Sequence, residues 1–153
     1  MTLADSQLAD AITLLTTDRP ALTEVHAAQL LQEHYGLEGE IEAQDSERDR
    51  NFLLRPAFGQ GCVLKIANSA EVEAITDFQI AALLHLEDSA IAARVPRVIS
   101  TIDGRTRIRV SAQDGRLHTA RVLSWLPGDV RRPESLGDNA PYRMGETLAS
   151  LDA

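Results

Sequence analysis

The stretch from Glu40 to Ala67 constrains the fold most. Its apolar residues do not follow helical spacing but form short runs separated by turns. EIEAQ alternates between polar and apolar residues, NFLLRP and CVLKIA are short runs, and AFGQG between them contains two glycines. Alternation is the side-chain period of a strand, and a short glycine-containing loop is typical of a hairpin. The pattern predicts three antiparallel strands at about 40–45, 51–56 and 62–67.

Helical patterns lie on both sides of these strands. Apolar residues at roughly helical spacing predict a short helix over 4–17, and Thr23 and Gly36 are the expected N-cap and C-terminal stop of a second helix over 24–35. A further helix is predicted over about 70–87. Its apolar residues are expected to line one side, and they are Val72, Ile75, Phe78, Ala82 and Leu86.

The second half of the chain predicts two or three more strands, with tight turns at Asp103-Gly104 and Asp114-Gly115. LPGDVRRPESLGDNAP is a loop with three prolines, and a last helix is expected to start near Pro141. The order predicts an α+β fold with an antiparallel sheet of about five strands, one inserted helix and helices before the sheet.

Composition excludes several classes of protein. A length of 153 residues suits one domain or one lobe of a larger protein, and a net charge of −8 argues against nucleic acid as a partner. The single cysteine, Cys62, predicts a reducing compartment. The N-terminus has no pattern of a signal peptide, and no apolar segment approaches the ~20 residues that span a bilayer. We therefore expect a cytoplasmic protein without a membrane partner.

Lys65 is the only lysine of the chain and stands in the third predicted strand. In an alternating strand, Val63 and Lys65 point to one face while Leu64 and Ile66 point to the other. One interpretation is an edge-strand lysine that reaches water. The other is an ammonium that projects into a cleft toward a polyanion. A desolvated ammonium needs an acidic partner, and Glu73 and Asp77, one helical turn apart on the next helix, are the candidates.

Five segments in order resemble the aminoglycoside phosphotransferase and choline kinase family, and within it the hydroxylysine-kinase-like group. They are SERDRNFLL, CVLKIANS, TDFQIAALLHL, VPRVI and VLSWLPG, and the resemblance covers about residues 24–152. It implies a protein-kinase-like small lobe over 21–127, after a helical extension over 1–20. It also implies that 128–153 are a linker and the first helix of a second, C-terminal lobe.

The resemblance assigns the cofactor-binding residues. Lys65 would contact the phosphates of ATP or GTP, with Asp77 as the first choice for its ion-pair partner and Glu73 as the second. Asp77 departs from the family's pattern, in which the partner of this lysine is usually a glutamate. The loop over 44–51 would cover the phosphates, with Ser46 and Arg48 near the nucleotide and Asn51 orienting the loop. That loop has no glycine, and its acids need neutralising by Arg48 and Arg50.

The same resemblance makes VLSWLPG the hinge between two lobes. The backbone of Ser124, Trp125 and Leu126 would read the adenine there. Val63 and Ile99 are expected to be apolar walls for the base.

The function that the resemblance implies is that of the nucleotide-binding lobe of an ATP- or GTP-dependent phosphotransferase, acting on a hydroxyl of an amino alcohol or amino acid. The catalytic loop and most ligands of Mg²⁺ would follow Ala153. We therefore expect no catalytic or metal-binding residue in this chain, and no phosphoryl transfer by it alone. The small hydroxylated amine would bind through the missing lobe, and the isolated lobe would tend to self-associate through its bare apolar surface.

The alternative is a non-catalytic regulatory or interaction domain of a multidomain protein. Proteins that look like this at their N-terminus include fusions to a PLP-dependent class-III aminotransferase. The loop without glycine, Asp77 in place of glutamate and the acidic balance favour this alternative.

Overall fold

The structure, a computed structural model, describes residues 13, 17–128, 137 and 139–151. The helix predicted over 4–17 and most of the proline-containing loop lie outside the described residues. The helices are α1 (Glu24–Tyr35), α2 (Glu73–Leu86) and α3 (Ala140–Leu151), with a short 3-10 helix at Ala92–Arg94. The strands are β1 (Glu40–Gln44), β2 (Arg50–Arg55), β3 (Cys62–Ile66), β4 (Val98–Ile99), β5 (Ile108–Ser111) and β6 (Leu117–Ser124).

The strands form one antiparallel sheet in the order β1-β2-β3-β6-β4, and β5 pairs with β6 beside β4. The α+β fold with one helix inserted in the sheet is confirmed. Among the described residues the sheet has six strands, against about five predicted. The first three strands lie within one residue of their predicted ranges.

Helix α1 begins and ends where the sequence predicts. The Thr23 side chain accepts a hydrogen bond from the His26 backbone N–H, and the His26 ring accepts from the backbone N–H of Thr23. These bonds satisfy donors that a helix N-terminus leaves free. Gly36 has a φ of +64°, a left-handed conformation that glycine adopts without steric cost, and its N–H bonds to the carbonyl oxygen of Gln32.

The core lies between α1 and one face of the sheet. Its fully buried members include Ala27 and Leu31 of α1, against Phe52, Leu64 and Val122 of the sheet. The alternation of buried and partly buried residues along β3 shows that Leu64 and Ile66 face this core while Val63 and Lys65 face the other side. This is the orientation predicted for Lys65 and its neighbours.

Helix α2 forms where the sequence predicts, and its apolar side is only partly buried. Val72, Ile75 and Phe78 are 62%, 45% and 73% exposed, and the residues of α2 that are buried are Thr76 and Ile80. The other two residues of that side, Ala82 and Leu86, are half-buried, and the buried Thr76 contacts a buried arginine of β6.

Both Asp-Gly dipeptides form turns. Gly104 and Gly115 have φ values of +82° and +75°, and the Ala112 N–H bonds to the Arg116 carbonyl oxygen to close the β5–β6 hairpin. In the part of the chain that the structure describes, no helix has the length and apolar character needed to cross a membrane.

Candidate functional site

The register of β2, β3 and β6 arranges side chains in two rows on the sheet face opposite the core. Directly opposed residues of antiparallel strands share a face, as do residues two apart on one strand. One row is apolar and consists of Leu53, Val63 and Leu123. The next row, two residues further along, is polar and consists of Asn51, Lys65 and Arg121. An apolar surface thus adjoins a cationic one.

A cleft of about 410 Å³ lies over this face and the end of β6. Five residues predicted for the site line it together, and they are Val63, Lys65, Ser124, Trp125 and Leu126. Three further lining residues are outside the predicted set, and they are Pro96, Leu123 and Gly128. Leu123 stands opposite Val63 in the pairing of β3 with β6, which no local sequence pattern specifies.

The prediction that Asp77 or Glu73 pairs with Lys65 is not what the structure shows. Arg107 Nε lies 2.7 Å from Asp77 Oδ1, and Arg109 forms an ion pair with Glu73, which also lies 3.7 Å from Arg107. Both acids are therefore held by arginines on or beside β5. Lys65 makes no ion pair or side-chain hydrogen bond with any residue in the described ranges. Its ammonium is open to a ligand from the cleft.

The backbone at the end of β6 and just after it offers fewer free N–H donors than predicted. The Ser124 N–H donates to the Arg97 carbonyl oxygen, and the Trp125 N–H donates to that of Gly61, both at 2.9 Å. The Ser124 hydroxyl also accepts a bond from the Arg97 N–H at 2.9 Å. Leu126 is different, since its N–H has no acceptor among the described residues. Of the three predicted adenine-reading residues, Leu126 alone keeps a free amide donor.

One predicted wall of the cleft is wrong. Ile99 stands opposite Val122 and packs against the core, so it faces away from the cleft. Val63 does line the cleft, and Leu123 opposite it takes the place expected for Ile99. The error is one residue of register, which moves a side chain to the other face of a sheet.

The loop between β1 and β2 forms a separate, acidic cavity. Ser46 and Arg48 line it with Glu47, Asp49 and Glu71, around a volume of about 260 Å³. The three carboxylates outnumber the single arginine of this lining. Arg50 is not among the residues that line this cavity, and its guanidinium lies 5.0 Å from the ring centre of Phe52.

Asn68 fixes that loop and is absent from the residues predicted for the site. Its amide nitrogen donates to the carbonyl oxygens of Thr17, Asp18 and Arg48, at 3.2–3.3 Å, and its backbone N–H donates to Asp49 Oδ1 at 3.1 Å. Asn68 is 2% exposed. A buried asparagine in a short loop after a strand is a sequence signal for such a network.

Arg121 is a second residue that the sequence does not single out. It is 6% exposed, and it donates to Thr76 Oγ1 at 3.1 Å and to Gln79 Oε1. Burial lowers the pKa of Arg121, although the nearby Glu71 and Asp49 carboxylates act in the opposite sense. Its Nε has no acceptor among the described residues. The signal was an arginine inside the apolar run of a central strand.

Asn51 stands on the other side of Lys65 in the same row, and its Oδ1 is buried without a hydrogen-bond partner among the described residues. The polar row therefore has open donors on Lys65 and Arg121 and an open acceptor on Asn51. In the described residues no group of three or more acidic, histidine or cysteine side chains is placed to hold a metal ion.

The chain resembles known small-molecule kinases in sequence and fold. It is 25% identical over 140 residues to hydroxylysine kinase of Danio rerio, covering 88% of this chain and 39% of the relative. Among solved structures it matches a microcompartment-associated aminopropanol kinase, with a TM-score of 0.57, 20% identity, and 84% of this chain against 39% of that one.

It also matches the amicoumacin kinase hAmiN, solved in complex with AMP-PNP, Ca²⁺ and Ami, with a TM-score of 0.51 and 12% identity. That match covers 74% of this chain and 34% of the kinase. No protein-family model matches the sequence. The chain thus spans about 39% of the length of the curated relative, and its fold is that of a kinase-like small lobe.

Proposed function

We propose that this chain is the nucleotide-binding lobe of a small-molecule phosphotransferase that uses ATP or GTP. The observation that carries the proposal is Lys65, an ammonium without an acidic partner among the described residues, at the wall of an apolar cleft. An unpaired, partly buried cation is unfavourable unless an anion binds it. The likeness to kinases makes a nucleotide phosphate the anion to test first.

The residues of the cleft fit both ends of a nucleotide. Val63 and Leu123 offer apolar surface for a base, and the free N–H of Leu126 offers a hydrogen bond to its edge. Two residues along the strand from Val63, Lys65 offers a point charge for phosphate oxygens. The bound nucleotide would supply the phosphoryl group that is transferred.

We propose that this chain binds the nucleotide and that another part of the protein activates the acceptor. No carboxylate is among the described residues that line the cleft, so none there could act as a general base toward a hydroxyl. We propose that Mg²⁺ and the acceptor are held mainly by a second lobe. In this division, 21–127 form the nucleotide lobe after a helical extension over 1–20, and 128–153 form the linker and first helix of the second lobe.

The acceptor that we propose is a hydroxyl of an amino alcohol or amino acid, following the names of hydroxylysine kinase and aminopropanol kinase. The test is a phosphoryl-transfer assay of the full-length protein with ATP and GTP against a panel of hydroxylated amines. Lys65→Ala is expected to abolish turnover while circular dichroism stays unchanged. Equal turnover of Lys65→Ala and the unaltered protein would contradict the proposal.

A second candidate is a regulatory domain that keeps the fold without binding nucleotide. The observation that favours it is the cavity lined by Glu47, Asp49 and Glu71, where carboxylates would repel phosphate. If this candidate is correct, neither Mg-ATP nor Mg-GTP binds to the full-length protein, although adenosine-sized apolar molecules still enter the cleft.

A further inference from the structure

Arg121 carries a buried positive charge beneath helix α2 and pairs with no carboxylate of the described residues. Its two hydrogen bonds run to Thr76, which is 1% exposed, and to Gln79, one helical turn further along. Both acceptors belong to α2, and the donor belongs to β6. The guanidinium therefore joins the helix to the centre of the sheet through a fork of donors.

Lys65 lies directly opposite Arg121 on the neighbouring strand, so two cations stand side by side. Like charges at opposed positions of a sheet are unfavourable. A carboxylate of α2 between them would relieve this repulsion, yet Glu73 and Asp77 are bound to Arg109 and Arg107. The lysine-to-acid brace that the sequence predicts is thus missing, and another residue makes the contact between helix and sheet.

We propose that Arg121 is the positioning residue of the site: it braces α2 against the sheet and leaves the Lys65 ammonium free to bind an anion. The identity of that anion as a nucleotide phosphate depends on the function proposed above. The brace itself depends only on the contacts of Arg121. In this chain the two tasks, bracing the helix and binding the anion, belong to different residues of adjacent strands.

The contact continues from the helix to the loop over 45–49. Thr76 Oγ1 donates to Glu71 Oε1 at 2.7 Å, and Glu71 lines the same cavity as Ser46 and Asp49. Loss of Arg121 is therefore expected to loosen α2 and the wall formed by Glu71. The apolar cleft lined by Val63 and Leu123 does not include Arg121 or its two acceptors, so it should keep its shape.

Amide hydrogen exchange of the ligand-free, full-length protein tests the brace without any nucleotide. Arg121→Met is expected to accelerate exchange over residues 73–86 by about tenfold or more, as the loss of two hydrogen bonds from a charged donor predicts. Lys65→Met is the matched control in the same row and should leave the exchange of α2 unchanged. Faster exchange of α2 in Lys65→Met, or unchanged exchange in Arg121→Met, overturns the proposal.

Two more variants complete the design. Arg121→Lys keeps the charge but cannot reach both acceptors, so α2 should exchange nearly as fast as in Arg121→Met; full protection would contradict the forked brace. If Arg121→Met fails to fold, Gln79→Met removes one acceptor from the helix side and should accelerate exchange severalfold, and no acceleration would count against the brace.

Ligand titrations separate this inference from the proposed function. Arg121→Met should weaken the binding of Mg-ATP by about tenfold or more and change the affinity for adenosine by no more than about twofold. General destabilisation would weaken the binding of both ligands equally. Equal weakening would contradict positioning of the phosphate side. Absence of Mg-ATP binding by the unaltered protein would overturn the proposed function, while the exchange result would still decide the brace.

Discussion

Lys65 and Arg121 lie directly opposite each other on the central strands β3 and β6, and no carboxylate of the described residues forms an ion pair with either. One is open to an apolar cleft, and the other is buried under helix α2. Their separate surroundings give them separate tasks, and the predictions below follow from that separation.

Neutralising the acids of α2 should leave nucleotide binding nearly unchanged. Asp77 is bound to Arg107 in a half-exposed ion pair, and exposed pairs contribute about 1 kcal/mol or less to the free energy of unfolding. We expect Asp77→Asn and Glu73→Gln to change the dissociation constant of Mg-ATP by no more than about twofold. A tenfold weakening of Mg-ATP binding, measured by calorimetry, would indicate that one of these acids pairs with Lys65, as the sequence predicts.

The free N–H of Leu126 should contribute to binding of the base. Leu126→Pro removes this donor, and we expect adenosine to bind about three- to tenfold more weakly, the value of one hydrogen bond. Leu126→Ala keeps the N–H but shortens a side chain that lines the cleft, so as the control it should bind adenosine more weakly than the unaltered protein and more tightly than Leu126→Pro. Equal affinities of the two variants for adenosine would show that the Leu126 N–H does not bind the base.

Asn68 should hold the loop over 45–49 in place. Asn68→Ala removes donors to three carbonyl oxygens, and we expect the free energy of unfolding to fall by about 2 kcal/mol. Proteolysis within 45–49 should become faster. Ser69→Ala, at the exposed neighbouring position, is the control and should change neither quantity. Slow, unchanged cleavage in Asn68→Ala would show that other contacts fix the loop.

Cys62 should be unreactive in the folded protein. Burial raises the pKa of its thiol to about 11, from an ordinary value near 9. Because the folded state binds this proton more tightly, its stabilising effect is complete below pH 9 and disappears as the pH rises through 11. Alkylation by iodoacetamide at pH 8 should be much slower in the folded than in the denatured protein. Comparable rates would place the thiol at the surface.

The elements that local rules define are predicted closely by the sequence. Thr23 and Gly36 bound α1 because capping and left-handed glycine depend on neighbouring residues only. Strand β1 follows from alternation, and β2 and β3 follow from short apolar runs on either side of a glycine-containing loop. Lys65 faces the predicted side because side chains alternate along a strand. The kinase-like small lobe follows from five motifs in order, and the fold matches confirm it.

The partners of the charged side chains could not be predicted in the same way. Asp77 and Glu73 lie on the predicted helix, but their partners Arg107 and Arg109 lie beside and on β5, at least thirty residues later. Only the tertiary pairing of β5 with β6 brings them near. Nor does the apolar spacing predict that Thr76 and Gln79 of α2 bind Arg121, because these contacts join residues 45 and 42 positions apart. Ile99 was misplaced by a register that no local pattern specifies.

The central claim is that the Lys65 ammonium binds nucleotide phosphate, and calorimetric titration of the full-length protein with Mg-ATP tests it most directly. Lys65→Met is expected to weaken the binding of Mg-ATP by at least about tenfold, because a charge-assisted contact is lost. Its affinity for adenosine should stay within about twofold of that of the unaltered protein. Equal affinity of both proteins for Mg-ATP, or no binding of Mg-ATP to the unaltered protein, would contradict the account.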